Sequence, residues 1–221
     1  MENISRRRIL LSGGALLGAN ALSMLNPLSN PLFAAEVIPR PFELVRADKN
    51  ENPYGPSRVA LQAINEGMDL TNKYGGGSRR KLVELIAKQN GVTSDHVAMG
   101  TGSGEILKTG GLIASWEKGS VVCVDPTYQD LVRYASRAGT EIIRVPVDEN
   151  LACDLEAVAA AIRPDTKMVY LVNPNNPIPN IINKDALRDF VLEVSKDRLV
   201  FVDEAYYEFV ENPEYGSMID L

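Results

Sequence analysis

Histidine is almost absent: the 221 residues hold one, His96. That leaves little room for a zinc site or a serine-type triad, both of which need imidazole beside other ligands or a nucleophile. Its position at the start of an apolar run suggests a strand-edge residue. Cysteine is scarce as well. Cys123 lies inside Val121-Val122-Cys123-Val124 and Cys153 in a loop-like stretch after Asn150. A strand-interior thiol and a loop thiol make weak disulfide partners, so two free thiols are expected. Clustered positive charge is missing beyond the N-terminus. Residues 1–35 carry Arg6, Arg7, Arg8 and Glu2, a net of +2, so the rest of a chain of formal charge −6 carries −8. An acidic body of this kind argues against nucleic-acid binding. Long hydrophobic runs and low-complexity tracts are lacking too, while 45% hydrophobic content supports a real core.

The one mildly apolar N-terminal stretch follows Ser5-Arg6-Arg7-Arg8-Ile9-Leu10-Leu11 and runs to Leu25. Rich in Gly, Ser and Asn, it is short and weakly apolar for a membrane span. A charged start, a short apolar segment and Ala34-Ala35 together resemble a secretory signal of the twin-arginine type. The expectation is a leader over 1–35, cleaved near Ala35, handled by the twin-arginine machinery and directing the protein to the periplasm. That pathway carries proteins already folded, which suits one that acquires a cofactor before export.

Residues 36–57 form a Pro-rich arm, and 58–221 read as one incomplete α/β domain. A helix is expected from Arg58 to Gly67, capped by Ser57. A second, capped by Ser78, runs through Gln89 with Leu82, Leu85 and Ile86 on one face. Short apolar runs at Val97–Met99, Val121–Val124, Ile142–Val145, Met168–Val172 and Leu199–Val202 read as buried strands. Helices are expected at 104–115, 127–138, 154–162 and 184–196. Strands alternating with helices predict a three-layer α/β/α fold around a mostly parallel sheet.

The chemistry-bearing residues gather where strands end. Met168–Val172 is followed by Asn173-Pro174-Asn175-Asn176-Pro177, and Leu199–Val202 by Asp203-Glu204-Ala205-Tyr206. An amide, a carboxylate and a phenol thereby reach one sheet edge, where open α/β folds bind ligands. That trio suits a protonated pyridine ring bearing a phenolic oxygen. A buried carboxylate at Asp203 is costly unless it meets a cation; its plainer role is to cap the next helix, with Asn176 making a turn. Gly100-Thr101-Gly102-Ser103-Gly104-Glu105 opens a helix, and its free N–H groups would attract a phosphate. A dinucleotide fingerprint is the rival, but Glu105 occupies the place of its last glycine. Asp125-Pro126-Thr127-Tyr128 brings an aromatic that either packs on the sheet or stacks on a ring.

Together these motifs resemble pyridoxal-phosphate aminotransferases of fold type I, class I/II, most closely the histidinol-phosphate aminotransferase family, from about Arg46 to Leu221. The resemblance implies pyridoxal 5'-phosphate as cofactor and amino transfer between an amino acid and a 2-oxo acid. It implies that Asp203 pairs with the ring nitrogen and that Asn176 and Tyr206 bond the phenolic oxygen. Tyr128 would stack on the ring, and Ser103 and Gly104 amides would cup the phosphate. Tyr74 would reach the partner's phosphate across a homodimer, and Asn50-Glu51-Asn52-Pro53-Tyr54-Gly55 resembles a segment that folds over the active site. No metal is implied. Two departures stand out. Ile178-Pro179 replaces the family's Thr-Gly, altering the turn. The lysine that forms the Schiff base, expected in a Ser-Lys segment beyond Tyr206, is absent up to Leu221, as are the phosphate-binding arginine and the small C-terminal domain. The chain as written is therefore expected to be the N-terminal part of such an enzyme, without catalytic activity. A non-catalytic binder of a phosphorylated ligand or partner subunit is the alternative, as is a decarboxylase or lyase sharing this cofactor site.

Overall fold

The structure, a computed structural model, describes residues 48–221; the leader and most of the Pro-rich arm lie outside the described residues. The chain divides into two units at Thr71, inside the stretch that reads in sequence as one domain.

In the first unit, helix α1 (Arg58–Glu66) begins where Ser57 accepts the N–H of Ala60, the cap expected for it. It ends as Gly67 returns its N–H to Ala63, and a 3-10 turn, Met68–Leu70, follows. Ahead of α1, Asn52 turns the chain on itself: its side-chain oxygen accepts from Tyr54 N and its amide donates to Gly55 O. This is an Asx turn, the local solution that Asn offers a Pro-rich segment.

The second unit contains α2 (Gly76–Asn90), α3 (Ser103–Ala114), β1 (Ser120–Asp125), α4 (Asp130–Arg137), β2 (Glu141–Pro146), α5 (Leu155–Ala160), β3 (Thr166–Val172), α6 (Lys184–Val194) and β4 (Leu199–Asp203). Its strands form a wholly parallel sheet in the order β2-β1-β3-β4. From β1 the chain steps one way to β2, then crosses back to lay β3 and β4 on the other side. The winding direction thus reverses between β1 and β3, and the loops leaving their carboxyl ends part there.

Alternation along the strands separates two cores. On one face, Val121, Cys123, Met168, Tyr170 and Val172 pack with Leu107 and Ala114 of α3 and Leu131, Val132 and Ala135 of α4. On the other, Val122, Val124, Val169 and Leu171 meet Val158 of α5 and Leu187, Phe190 and Val191 of α6. Helices cover both faces, giving the three α/β/α layers. Close contact between α3 and its neighbours depends on Gly110 and Gly111. A Cβ at 110 would lie 2.8 Å from a ring carbon of Phe201, and one at 111 only 2.6 Å from the carbonyl oxygen of Leu131.

Several local expectations need correction. Val97–Met99 is not a strand: Val97 is extended (φ −112°, ψ 110°), but the segment pairs with no strand among the described residues. His96 closes a 3-10 turn instead, its Nδ1 2.7 Å from Thr93 Oγ1. Gly75, not Ser78, is the N-cap of α2; two more glycines let the helix start earlier, leaving Ser78 inside its first turn. Leu82 and Leu85 share a face but remain exposed, and only Ala87 of α2 is buried. Of the strands read as buried, β1 and β3 are, whereas β2 and β4 flank the sheet and keep exposed positions such as Leu199. Both cysteines are free, and burial pushes their thiols to about 11 at Cys123 and about 12 at Cys153.

The close approach of α3 to α4 makes a sharp prediction. Gly111→Ala should destabilise by roughly 1–3 kcal/mol through overpacking. Gly77→Ala in α2, where an added Cβ meets nothing within 4 Å, should stabilise by ~0.5–1 kcal/mol. Urea unfolding midpoints of the two variants, taken side by side, check both signs.

Candidate functional site

Three strand ends build the site. The register pairs Val172 with Asp203, so the first residue past β3 lies beside the last of β4. Asn173 N donates to Asp203 O at 2.9 Å, extending the ladder by one rung, and Asn173 Oδ1 accepts from Ile182 N at 2.9 Å. This buried asparagine ties the end of β3, the end of β4 and the approach to α6 together. From there, Asn176 and Tyr206 converge: the Asn176 amide donates to the Tyr206 hydroxyl at 3.3 Å.

The loops at the point of reversed winding are latched to each other. Asn175 Oδ1 accepts from Thr127 Oγ1 at 2.9 Å, and its Nδ2 donates to Pro126 O at 3.1 Å. On the other flank of Tyr128, the Gln129 amide donates to Thr127 O, and Arg144 forks between Asp125 and Gln129 at 2.9 and 3.1 Å. Tyr128 therefore sits on a braced turn while its ring stays 38% exposed, available to a ligand. Burial, then Asp130, Asp203 and Tyr206, pushes its hydroxyl above the ordinary tyrosine value, which puts these groups in one electrostatic neighbourhood.

Asp203 is only 8% exposed. Its carboxylate accepts from Ala205 N at 3.1 Å and the Tyr170 hydroxyl at 3.4 Å, and among the described residues it forms no ion pair. Burial raises its pKa above the usual carboxylate range, with the two donors opposing. Glu204, next in sequence, is spent otherwise: it accepts from the Ser217 hydroxyl and from Met218 N, fastening the following segment.

The glycine-rich loop reaches α3 with Gly102 at φ 74°, a left-handed conformation that favours glycine, and no side chain caps the helix. Its first amides, including those of Ser103 and Gly104, thus have no intrahelical acceptor. Glu105 reaches back to Thr101 N at 2.5 Å, and Arg79 holds Met99 O at 3.1 Å, which shapes the turn ahead of these amides. Asp130 lies near both this loop and Tyr128: its Oδ2 is 3.8 Å from where a Gly104 Cβ would stand, and its charge helps raise the tyrosine's pKa.

The structure accordingly gathers Tyr128, Asn176, Asp203 and Tyr206 at the carboxyl ends of β1, β3 and β4, with Ser103 and Gly104 at the adjoining helix start. Tyr74 stands apart, fully exposed ahead of α2. Sequence reasoning missed Tyr170, Asn175 and Asp130. The first is hidden as one more aromatic in a strand, and the others hold a loop or a neighbour instead of carrying a motif's headline chemistry. A buried carboxylate with no cation fits a protonated nitrogen ring, and the nearby amide–phenol pair fits an oxygen on that ring.

Asp203 is unfavourable for the ligand-free protein at neutral pH, and the sign follows from linkage. Its folded pKa is raised, so its contribution to stability is fully present below the unfolded value and lost as pH rises through the folded one. Asp203→Asn should raise the stability of the ligand-free protein at pH 7 by on the order of 1 kcal/mol. The gain should vanish as pH falls through the raised value, a trend measured by thermal unfolding across pH.

Comparison with known proteins identifies relatives of this fold. The chain is 36% identical over 177 residues to the histidinol-phosphate aminotransferase of Moorella thermoacetica, covering 80% of this chain and 46% of that protein. It is 36% identical over 179 residues to that of Brevibacillus brevis, covering 81% and 49%. Among solved structures, the histidinol-phosphate aminotransferase of Sinorhizobium meliloti, in complex with pyridoxal-5'-phosphate, superposes with TM-score 0.69 at 26% identity over 75% of this chain and 45% of that one. The Clostridium acetobutylicum enzyme gives 0.67 at 26% identity over 77% and 50%. The chain spans about half the length of these relatives. Residues 44–220 match the model of the aminotransferase class I and II family, to which this chain belongs.

Proposed function

We propose that residues 72–221 form the cofactor-holding half of a transaminase that moves an amino group between an amino acid and a 2-oxo acid. The observation that carries this reading is Asp203, a buried carboxylate with no cation partner among the described residues, set beside the Asn176–Tyr206 pair. Pyridoxal 5'-phosphate, when bound, supplies a protonated pyridine ring that draws electrons from the substrate's α-carbon. Asp203 holds the proton on the ring nitrogen. The Asn176 amide and Tyr206 hydroxyl hold the phenolic oxygen, Tyr128 covers the ring face, and Ser103 and Gly104 amides receive the phosphate at the start of α3. Tyr74, projecting free ahead of α2, is assigned to the phosphate of a second copy across a homodimer.

The covalent and proton-shuttling role belongs to a lysine outside this constellation. Lys108 lies over the Tyr134 ring, Lys167 pairs with Glu117, Lys184 donates to Pro213 O and Lys196 pairs with Glu193. In this reading residues 72–221 hold the cofactor. Relatives named for histidinol-phosphate amino transfer support the transaminase class. Export through the twin-arginine pathway, with the leader ending near Ala35, completes the proposal.

Titration of the purified protein with pyridoxal 5'-phosphate, followed by absorbance and tyrosine fluorescence, tests the site. Binding should be saturable and should weaken at least about tenfold in Asp203→Ala, as expected for loss of a charge-assisted contact. Pyridoxal lacking its phosphate should bind more weakly than the cofactor. Equal binding by the wild type and Asp203→Ala would remove the ring-nitrogen role. For export, Arg6→Lys together with Arg7→Lys should leave the uncleaved protein in the cytoplasm, read by cell fractionation and intact mass; unchanged export would refute the twin-arginine route.

A further inference from the structure

We infer that Tyr170 is a positioning residue for Asp203, its hydroxyl favouring the charged carboxylate and thereby keeping the shared proton on the cofactor ring. The inference rests on the pyridoxal-phosphate reading above. Tyr170 is completely buried in β3, its ring edge-on to Phe201 with centroids 5.9 Å apart and planes at 70°. Tyr170 pairs with Phe201 and Val172 with Asp203, so the tyrosine shares a sheet face with the carboxylate, two residues further from the strand ends. A buried phenol needs a partner for its O–H, and this one turns to Asp203 Oδ2 at 3.4 Å. Ala205 N occupies Oδ1 at 3.1 Å, so each carboxylate oxygen has its own donor.

The surroundings make that donor count. Cys123 approaches from β1, Tyr128 from the loop after it, and Tyr206 and Glu204 from the segment after β4; none of them is a cation. Lys108 of α3 is turned to Tyr134. With no positive side chain among the described residues to favour the anion, the two hydrogen bonds are what oppose the desolvation of Asp203. Burial and the neighbouring carboxylate hold the Tyr170 proton more tightly than in free tyrosine, so the group donates without giving its proton up. Beneath a ring nitrogen, Asp203 can share a proton as carboxylate with pyridinium or as carboxylic acid with pyridine. A donor on Oδ2 favours the first arrangement; its loss favours the second.

The test uses the protein loaded with pyridoxal 5'-phosphate labelled with 15N in the ring, because the nitrogen shift reports where the proton resides. In the wild type the signal should lie in the pyridinium range. In Tyr170→Phe, which keeps the packed ring, it should move toward neutral pyridine, with a roughly three- to tenfold loss of cofactor affinity, the range of an ordinary net hydrogen bond. Circular dichroism melting of the variant establishes that it is folded. Should it fail to fold, 3-fluorotyrosine at position 170, a stronger donor, must move the nitrogen shift further toward pyridinium. A wild-type signal already at neutral pyridine would overturn the ring-nitrogen reading itself. A pyridinium signal unchanged by both replacements would leave that reading intact and overturn the role of Tyr170.

Discussion

The parallel pairing of β3 with β4 is the constraint on which the site depends. Opposite Val172 stands Asp203, and the ladder continues one bond further, through Asn173 N, before the strands give way to loops. A slip of one residue would turn Asp203 to the opposite face, away from Tyr170 and Tyr128. That slip is opposed by two cores at once, since every residue of β3 from Met168 to Val172 is buried against one helical layer or the other. The same packing that stabilises the sheet therefore aims the carboxylate.

Two adjacent acids show how position divides labour. Glu204 is occupied by Ser217 and Met218 and anchors the segment that returns over α6, where Arg188 pairs with Asp220 at 2.9 Å and Lys184 N meets Glu214 O. Asp203, one residue earlier and on the other side of the backbone, has only neutral donors among the described residues. Both carboxyls are raised by burial, but Glu204 is bound into the following segment, whereas Asp203 meets no charged partner among the described residues. Proximity in sequence says nothing of this difference; the pleat decides it.

What was legible in the sequence was the part written in short-range patterns. Apolar β-branched runs located the four strands, and the residues just after them gave Asn176, Asp203 and Tyr206. Ser57 announced the start of α1. Val97–Met99 misled, because an apolar run becomes a strand only where a neighbour accepts its hydrogen bonds. Three glycines displaced the start of α2 from Ser78 for a similar reason, local preference yielding to what the backbone can do. The supporting residues were not legible at all. Asn175 acts through Thr127 and Pro126, 48 and 49 positions away, and Tyr170 through Asp203, 33 away. Such partners become visible only when the sheet order is known.

Sheet order also explains why the site lies between β1 and β3 and not at some other gap. With the winding reversed there, the strand ends that carry the Asp125–Gln129 and Asn173–Asn180 segments flank the gap where open α/β sheets form their crevice. An unrestrained crevice would let its walls move independently. Asn175 prevents that by accepting from one residue of the facing loop and donating to another, which braces the turns that carry Tyr128 and Asn176. That latch is made entirely by the chain's own groups. Holding Asp203 desolvated in advance costs the free protein some stability, and a cation at that position returns it. A carboxylate raised in pKa, braced by a buried phenol and left without a positive partner is the form such preorganisation takes in this chain.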